Sequence, residues 1–273
     1  MTTGRVRIAA HLRPGGVDSY ARWRAAVVAS EQLGADMVFG YDHFHRPSVV
    51  GLTPDGRMQL SPQQPDVSHF EAWTAVASWG EVTRRAEIGV MVSGAGYRNP
   101  DLLADMARTV DHISGGRLIL GVGAGWYEKD YSTYGFEFGT VGDRHRTLEA
   151  ALERITRRLR SLNPAPLRAI PILLGGGGEK RTIPLVAQYA DIWHVPAHDP
   201  DMLQRKYDIM VTHAEARLRN PCEIEIAVDW PGTSFVDGYF DAGARIFVVG
   251  VDPTPDYDLS ALKDAIAWRD SRL

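Results

Sequence analysis

The sequence predicts an α/β fold, a (β/α)8 TIM barrel, on three observations. Eight short apolar runs recur along the chain, and each is followed by a stretch of helical periodicity. Most of these runs are unbroken rather than alternating, as strands of a parallel sheet covered on both faces should be. Residues of unusual chemistry follow the carboxyl ends of the first six strands, where a barrel gathers its site; an open doubly wound sheet gives the same alternation but concentrates such residues at one switch point. Spread over 273 residues, eight units average about 34 residues each, close to a single barrel of roughly 250 residues. Residues 1–273 are therefore read as one domain.

The first strand, residues 6–12 (VRIAAHL), is rich in β-branched residues, and residues 19–34 form an amphipathic helix closed by Gly34. A second strand at 36–41 leads into a long proline-rich connection; 69–83 reads as helix and 87–92 as the third strand. The third helix carries the fullest punctuation. Asn99 caps it, Pro100 takes its first position, Asp101 faces the dipole, and Leu103, Met106, Val110 and Ile113 share a face before Gly115 and Gly116 end it. A strand at 117–122, a helix at 143–162, a linker at 163–171 and strands at 171–175, 191–195, 223–228 and 244–249 follow.

Composition narrows the partners. With 30 Lys and Arg against 34 Asp and Glu, the formal charge of -4 argues against a nucleic-acid or membrane-surface binder. The lone Cys222 cannot form an internal disulfide, and Arg5, Arg7 and Arg13 interrupt the apolar stretch a signal peptide would need, so a soluble cytoplasmic protein is expected.

Four stretches carry chemistry. The tetraglycine Gly175, Gly176, Gly177 and Gly178 follows the fifth strand and opens a helix, so its N–H groups can converge on a phosphate, with Glu179, Lys180 and Arg181 just beyond. The alternative is a flexible strand-to-helix connection. Residues 121–125 (GVGAG) suggest close approach of a flat ligand beside Trp126 and Tyr127. A dinucleotide fingerprint is weak there, because Trp126 stands at the third glycine position and no helix is expected to start. Residues 41–47 (YDHFHRP) set Asp42, His43 and His45 at the mouth of the second strand and open a loop of lid-like length, with His43 the candidate for proton transfer. His11, His194 and Trp230 end the first, sixth and seventh strands and are candidate substrate contacts; each also reads as an ordinary packed or hydrogen-bonded residue.

Together, residues 41–44 (YDHF), 97–130, 134–153 and 171–193 resemble the luciferase-like oxidoreductases, in particular the coenzyme F420-dependent branch. The stretches lie in order within residues 41–193, a span of about half of the chain. The resemblance implies a barrel with the cofactor ring across its carboxyl mouth and the cofactor phosphate in the glycine-rich turn. It also implies a non-proline cis peptide at Met91-Val92 beneath the ring, with Ser93 following. Cofactor contacts are implied at Asp42 and at Gly123, Ala124, Gly125 and Trp126, and a catalytic role at His43. Trp126 replaces a glutamate found in the sugar-phosphate dehydrogenases of the branch, which argues against a sugar-phosphate substrate.

The expected activity is hydride transfer between F420 and a small carbonyl, imine or activated alkene. FMN-dependent monooxygenation is the alternative, and a barrel that binds cofactor without turnover a further one. A metal-dependent hydrolase using His43, His45, Asp42, His194 and Asp252 is a remote rival, and no metal is expected. The family implies a homodimer, for which helices around Trp73 and Trp79 could supply the face.

Overall fold

A computed structural model describes residues 5–52, 58–253 and 256–272; the rest of the predicted domain, including 53–57 of the long loop after the second strand, lies outside the described residues. In chain order the elements are β1 (Arg7–Leu12), α1 (Tyr20–Leu33), β2 (Met37–Gly40), β3 (Val49–Leu52), β4 (Met58–Leu60), α2 (Ala72–Val82), β5 (Glu87–Gly94), α3 (Pro100–Ser114), β6 (Leu118–Gly123) and α4 (Glu128–Tyr134). There follow α5 (Val141–Ser161), β7 (Ile172–Gly175), α6 (Thr182–Tyr189), β8 (Ile192–His194), α7 (Pro200–Glu215), β9 (Glu225–Asp229), α8 (Val236–Asp241), β10 (Ile246–Val251) and α9 (Ser260–Asp270). Eight strands close a parallel barrel in the order β1-β10-β9-β8-β7-β6-β5-β2, with β2 returning to β1. The predicted class is what the chain adopts.

Alternate residues divide the core into two layers. Inward residues Ala9, Met37, Phe39, Met91, Ile119, Leu173, Ile192, Ala227, Ile246 and Val248 fill the lumen. Outward residues such as Ile8, Val38, Leu120, Trp193 and Phe247 pack beneath the helices. Trp73 and Trp79 belong to that outer layer at 1% and 0% exposure, so a subunit face on their helix would have to be made by its other residues. The amino-terminal end of the barrel is sealed by charge. Arg7 reaches Glu87 at 2.7 Å and Glu225 at 2.5 Å, and Arg168 reaches Glu87 at 2.6 Å.

Local chemistry explains most boundaries. Asn99 caps α3 by accepting from the Asp101 and Leu102 amides, and Gly115 closes it in the left-handed region. On that helix Ile113 is 37% exposed, so the buried stripe runs through Leu103, Ala107, Val110 and Ser114 instead. Helix α2 starts at Ala72 rather than 69 because the Glu71 carboxylate accepts from the Trp73 and Thr74 amides. Strand β9 starts late, after a 3-10 turn at Pro221–Glu223 capped by Asn220. Two features exceed the prediction: the long connection holds the antiparallel pair β3–β4, and helix α4 begins two residues after Trp126, where no helix is expected.

Candidate active site

At the carboxyl end of the lumen one wall is stripped of side chains. Strand β5 shifts register between Val90 and Ser93, and the Met91-Val92 bond is cis, as the resemblance implies. The shift turns Val92 inward against the lumen cluster. A Cβ on Gly123 would lie 2.6 Å from Val92 Cγ2, and one on Gly175 would lie 3.6 Å from Cγ1. Two glycines and one valine therefore make a flat shelf over β6 and β7, with Met91 among the lumen residues below.

Polar side chains form the facing wall. His11, inward on β1 above Ala9, has its Nε2 buried without a hydrogen-bond partner among the described residues. Burial, with Arg13 second, lowers its pKa from 6.5 to about 3, so the ring is neutral across the working pH range. On β8, His194 lies 3.2 Å from Asp229 through Nε2.

His43 is held by a residue that motif reading passes over. Its Nδ1 lies 2.7 Å from Oδ2 of Asp130, which is fully buried on α4. The other oxygen accepts from the Phe44 and His45 amides at 3.1 Å each and meets His45 Nδ1 at 2.8 Å, while Tyr97 Oη donates to Oδ2 at 3.0 Å. Burial pushes this carboxyl up, yet the bonds from His43, His45 and Tyr97 outweigh it and hold Asp130 below the usual range. An ionised Asp130 accepts a hydrogen bond from Nδ1–H of His43, which leaves Nε2 for chemistry. Trp126 and Tyr127 stand edge-on to the His43 ring at 5.3 and 5.7 Å between centroids.

The glycine loop is shaped partly by the protein itself. Gly176 sits at φ +118°, a conformation that strains other residues. A Cβ on Gly177 would come within 3.0 Å of Lys206 Nζ, which donates to the Gly177 carbonyl at 2.6 Å. The Gly178 carbonyl accepts from the Thr182 and Ile183 amides and so starts α6. The amides of residues 177–180 have no acceptor among the described residues. Four free donors ahead of a helix fit an anion, and that fit, rather than the glycine run alone, supports a phosphate.

The remaining predicted residues divide. Asp42 is 1% exposed and both of its carboxylate oxygens accept from Arg98, whose Nη2 also reaches Glu71 at 2.6 Å. Ser93 accepts from Trp73 Nε1 at 2.8 Å in the outer layer and can meet a ligand only through its backbone. Trp230 packs edge-on against Phe247 and Trp268 in the outer layer rather than lining a substrate pocket. Glu179 pairs with Arg205, leaving Lys180 exposed beyond it. The Gly125 carbonyl accepts from Arg144 Nε at 3.0 Å. Ala124 borders a cavity of about 520 Å3 lined also by Tyr131, Phe138 and Arg144; no histidine lines it. His43 and His45 share Asp130, Asp42 pairs with Arg98, His194 with Asp229 and Asp252 with Arg13 and Arg46, and among the described residues no three potential ligands converge as a metal site needs.

Asp130, Tyr97, Arg98 and Lys206 are the functional or supporting residues that sequence reasoning missed. Asp130 had a signal, an acidic residue inside the specific block at 97–130, but nothing in the sequence shows that it meets His43 across 87 positions.

A family model described as luciferase-like monooxygenase matches residues 2–232. An uncharacterised Mycobacterium tuberculosis protein is 29% identical over 226 residues, covering 76% of this chain and 75% of its own. Another from that organism, provisionally named a coenzyme F420-dependent oxidoreductase, is 33% identical over 158 residues, 48% of this chain and 45% of that one. Among solved structures, an F420-dependent secondary alcohol dehydrogenase with an F420-acetone adduct superposes with TM-score 0.79 at 15% identity, covering 97% of this chain and 99% of that one. EDTA monooxygenase from Chelativorans sp. BNC1 superposes at 0.70 and 13% identity, covering 98% and 94%. Both show the barrel, and the sequence match decides the family: the chain belongs to the luciferase-like monooxygenase family.

Proposed function

We propose that the protein is a coenzyme F420-dependent oxidoreductase acting on a small carbonyl, imine or activated alkene. One observation carries the reading: a histidine oriented by a buried carboxylate beside a side-chain-free shelf and a row of free amides. The relative named for F420 supports the choice of cofactor. The amides of residues 177–180 would hold the phosphate, and Val92, Gly123 and Gly175 would seat the ring. When bound and reduced, the deazaflavin supplies a hydride.

The chain's own part is placement and a proton. Reduction of a carbonyl consumes one hydride and one proton, and the proton leaves Nε2 of protonated His43. Asp130 keeps Nδ1–H throughout, so the ring returns to a single neutral tautomer and recovers its proton from solvent. In the oxidising direction the same Nε2 accepts the proton of an alcohol. Trp126 and Tyr127 pack edge-on against the His43 ring.

Purified protein should bind F420 at micromolar concentration, and the bound reduced form should change its visible absorbance when a carbonyl substrate is added. Failure of both sinks the reading. The second reading, FMN-dependent monooxygenation, is favoured by the description of the matching family model; parallel titration with FMN and F420 separates the two. A homodimer in the cytoplasm belongs to this proposal, and sedimentation of the purified chain tests the dimer.

A further inference from the structure

The wall of the mouth opposite the glycine shelf has a polar group that the hydride-transfer reading does not use. Strand β1 turns Arg7, Ala9 and His11 inward: Arg7 belongs to the sealed end, Ala9 to the lumen cluster, and His11 to the open end above them. Its ring stands edge-on to Tyr41 at 6.1 Å, and the His43 ring stands against the same tyrosine at 5.3 Å. The two histidines therefore share one side of the mouth, but His43 is tied to Asp130 while His11 Nε2 is buried with no partner among the described residues. The neighbouring charges are already matched. Arg13 lies 3.1 Å from Asp252, and His194 lies 3.2 Å from Asp229.

A buried neutral imidazole nitrogen between matched charges suits an uncharged oxygen. A carboxylate there would lie near Asp229, and an ammonium group near Arg13. Resting on the reading above, we propose that Nε2 of His11 binds an uncharged oxygen of the substrate other than the one being reduced. The substrate class is then a small carbonyl compound carrying a second hydroxyl or oxo group, rather than a simple ketone or a keto acid.

Three probes of similar size decide this: hydroxyacetone, 2-butanone and pyruvate. Each is tested on the full chain loaded with reduced cofactor, as wild type, His11→Leu and His11→Gln. Wild type should prefer hydroxyacetone to 2-butanone by about 100-fold in kcat/KM, because a site built for a hydrogen bond rejects the analogue that lacks it. His11→Leu should reduce that ratio to below about fivefold through loss of hydroxyacetone activity, and His11→Gln should restore part of it. Saturable movement of the His11 ring nitrogen resonance by hydroxyacetone in the wild-type protein gives a readout independent of turnover and of how the variants fold.

An unchanged ratio in His11→Leu overturns the proposal, as does the lack of any preference in wild type. A preference for pyruvate overturns it in favour of anion binding at Arg13. Hydroxyacetone binding at His11 without turnover leaves the subsite standing and sinks the hydride-transfer reading. Turnover of the ketones with no dependence on His11 does the reverse.

Discussion

The two ends of the barrel are built from the same eight strands and end in opposite chemistry. At the amino-terminal end Arg7, Glu87, Glu225 and Arg168 are joined in ion pairs at 2.5–2.7 Å. At the carboxyl end β6 and β7 carry glycines, and among the described residues four loop amides lack acceptors and His11 Nε2 is buried without a partner. Polar groups that pair among themselves stabilise the fold; polar groups left without partners beside open backbone await a ligand. One sheet thus separates stability from function by strand direction.

Substitutions at each end should therefore differ in what they damage. Asp130→Asn is the largest expected effect: it removes the charge and turns one of the two acceptor oxygens into a donor, so the His43 tautomer is no longer fixed, and turnover should fall by about 10²–10⁴ while the cofactor Kd moves by less than about threefold. Steady-state rates and a fluorescence titration check both halves, and a matching loss of affinity would show Asp130 to be merely structural. At the sealed end, Arg7→Met leaves Glu87 and Glu225 without their shared cation and should lower unfolding stability by about 3 kcal/mol in urea. Cofactor affinity should stay the same, so a weakened affinity would blur the separation of the two ends.

The pH dependence sharpens the contrast further. The folded-state pKa of His11 is depressed, so the unfolded chain takes up a proton below about pH 6.5 that the folded chain refuses until about pH 3. Stability is therefore lost as pH falls through this window, by up to about 1.4 kcal/mol per unit from this residue. His11→Gln should flatten the curve between pH 6 and about 4.5 relative to wild type; parallel curves would place His11 in contact with water. The smallest effect is expected for Gly177→Ala, whose Cβ meets Lys206 and should weaken cofactor binding about tenfold with little change in stability.

How much of this the sequence discloses depends on the range of the interaction. Period and punctuation are local, so the eight strands, the Asn99 cap and the Gly34 and Gly115 ends are legible. The glycine shelf was also legible, because a missing side chain is visible in one dimension. Pairings over long separations are not: Asp130 with His43, Asp42 with Arg98, and Trp73 with Ser93 each depend on which face of an element turns inward. Asp42 and Ser93 share the motifs that line the mouth, yet their side chains are taken up by Arg98 and Trp73. Trp230 fails in the same way, directed by its turn towards Trp268. Helix α4 is seven residues with no side-chain cap bond, too short and weakly marked for its periodicity to register.

The central claim is that the open end grips a phosphate and so fixes a planar redox ring over the lumen. Calorimetric titration with two matched pairs, F420 and its phosphate-free deazaflavin core, then FMN and riboflavin, tests it most directly. A member carrying phosphate should bind at micromolar concentration and at least about 100-fold more tightly than its phosphate-free partner. Equal affinity within a pair, or no binding by any of the four, would contradict the account.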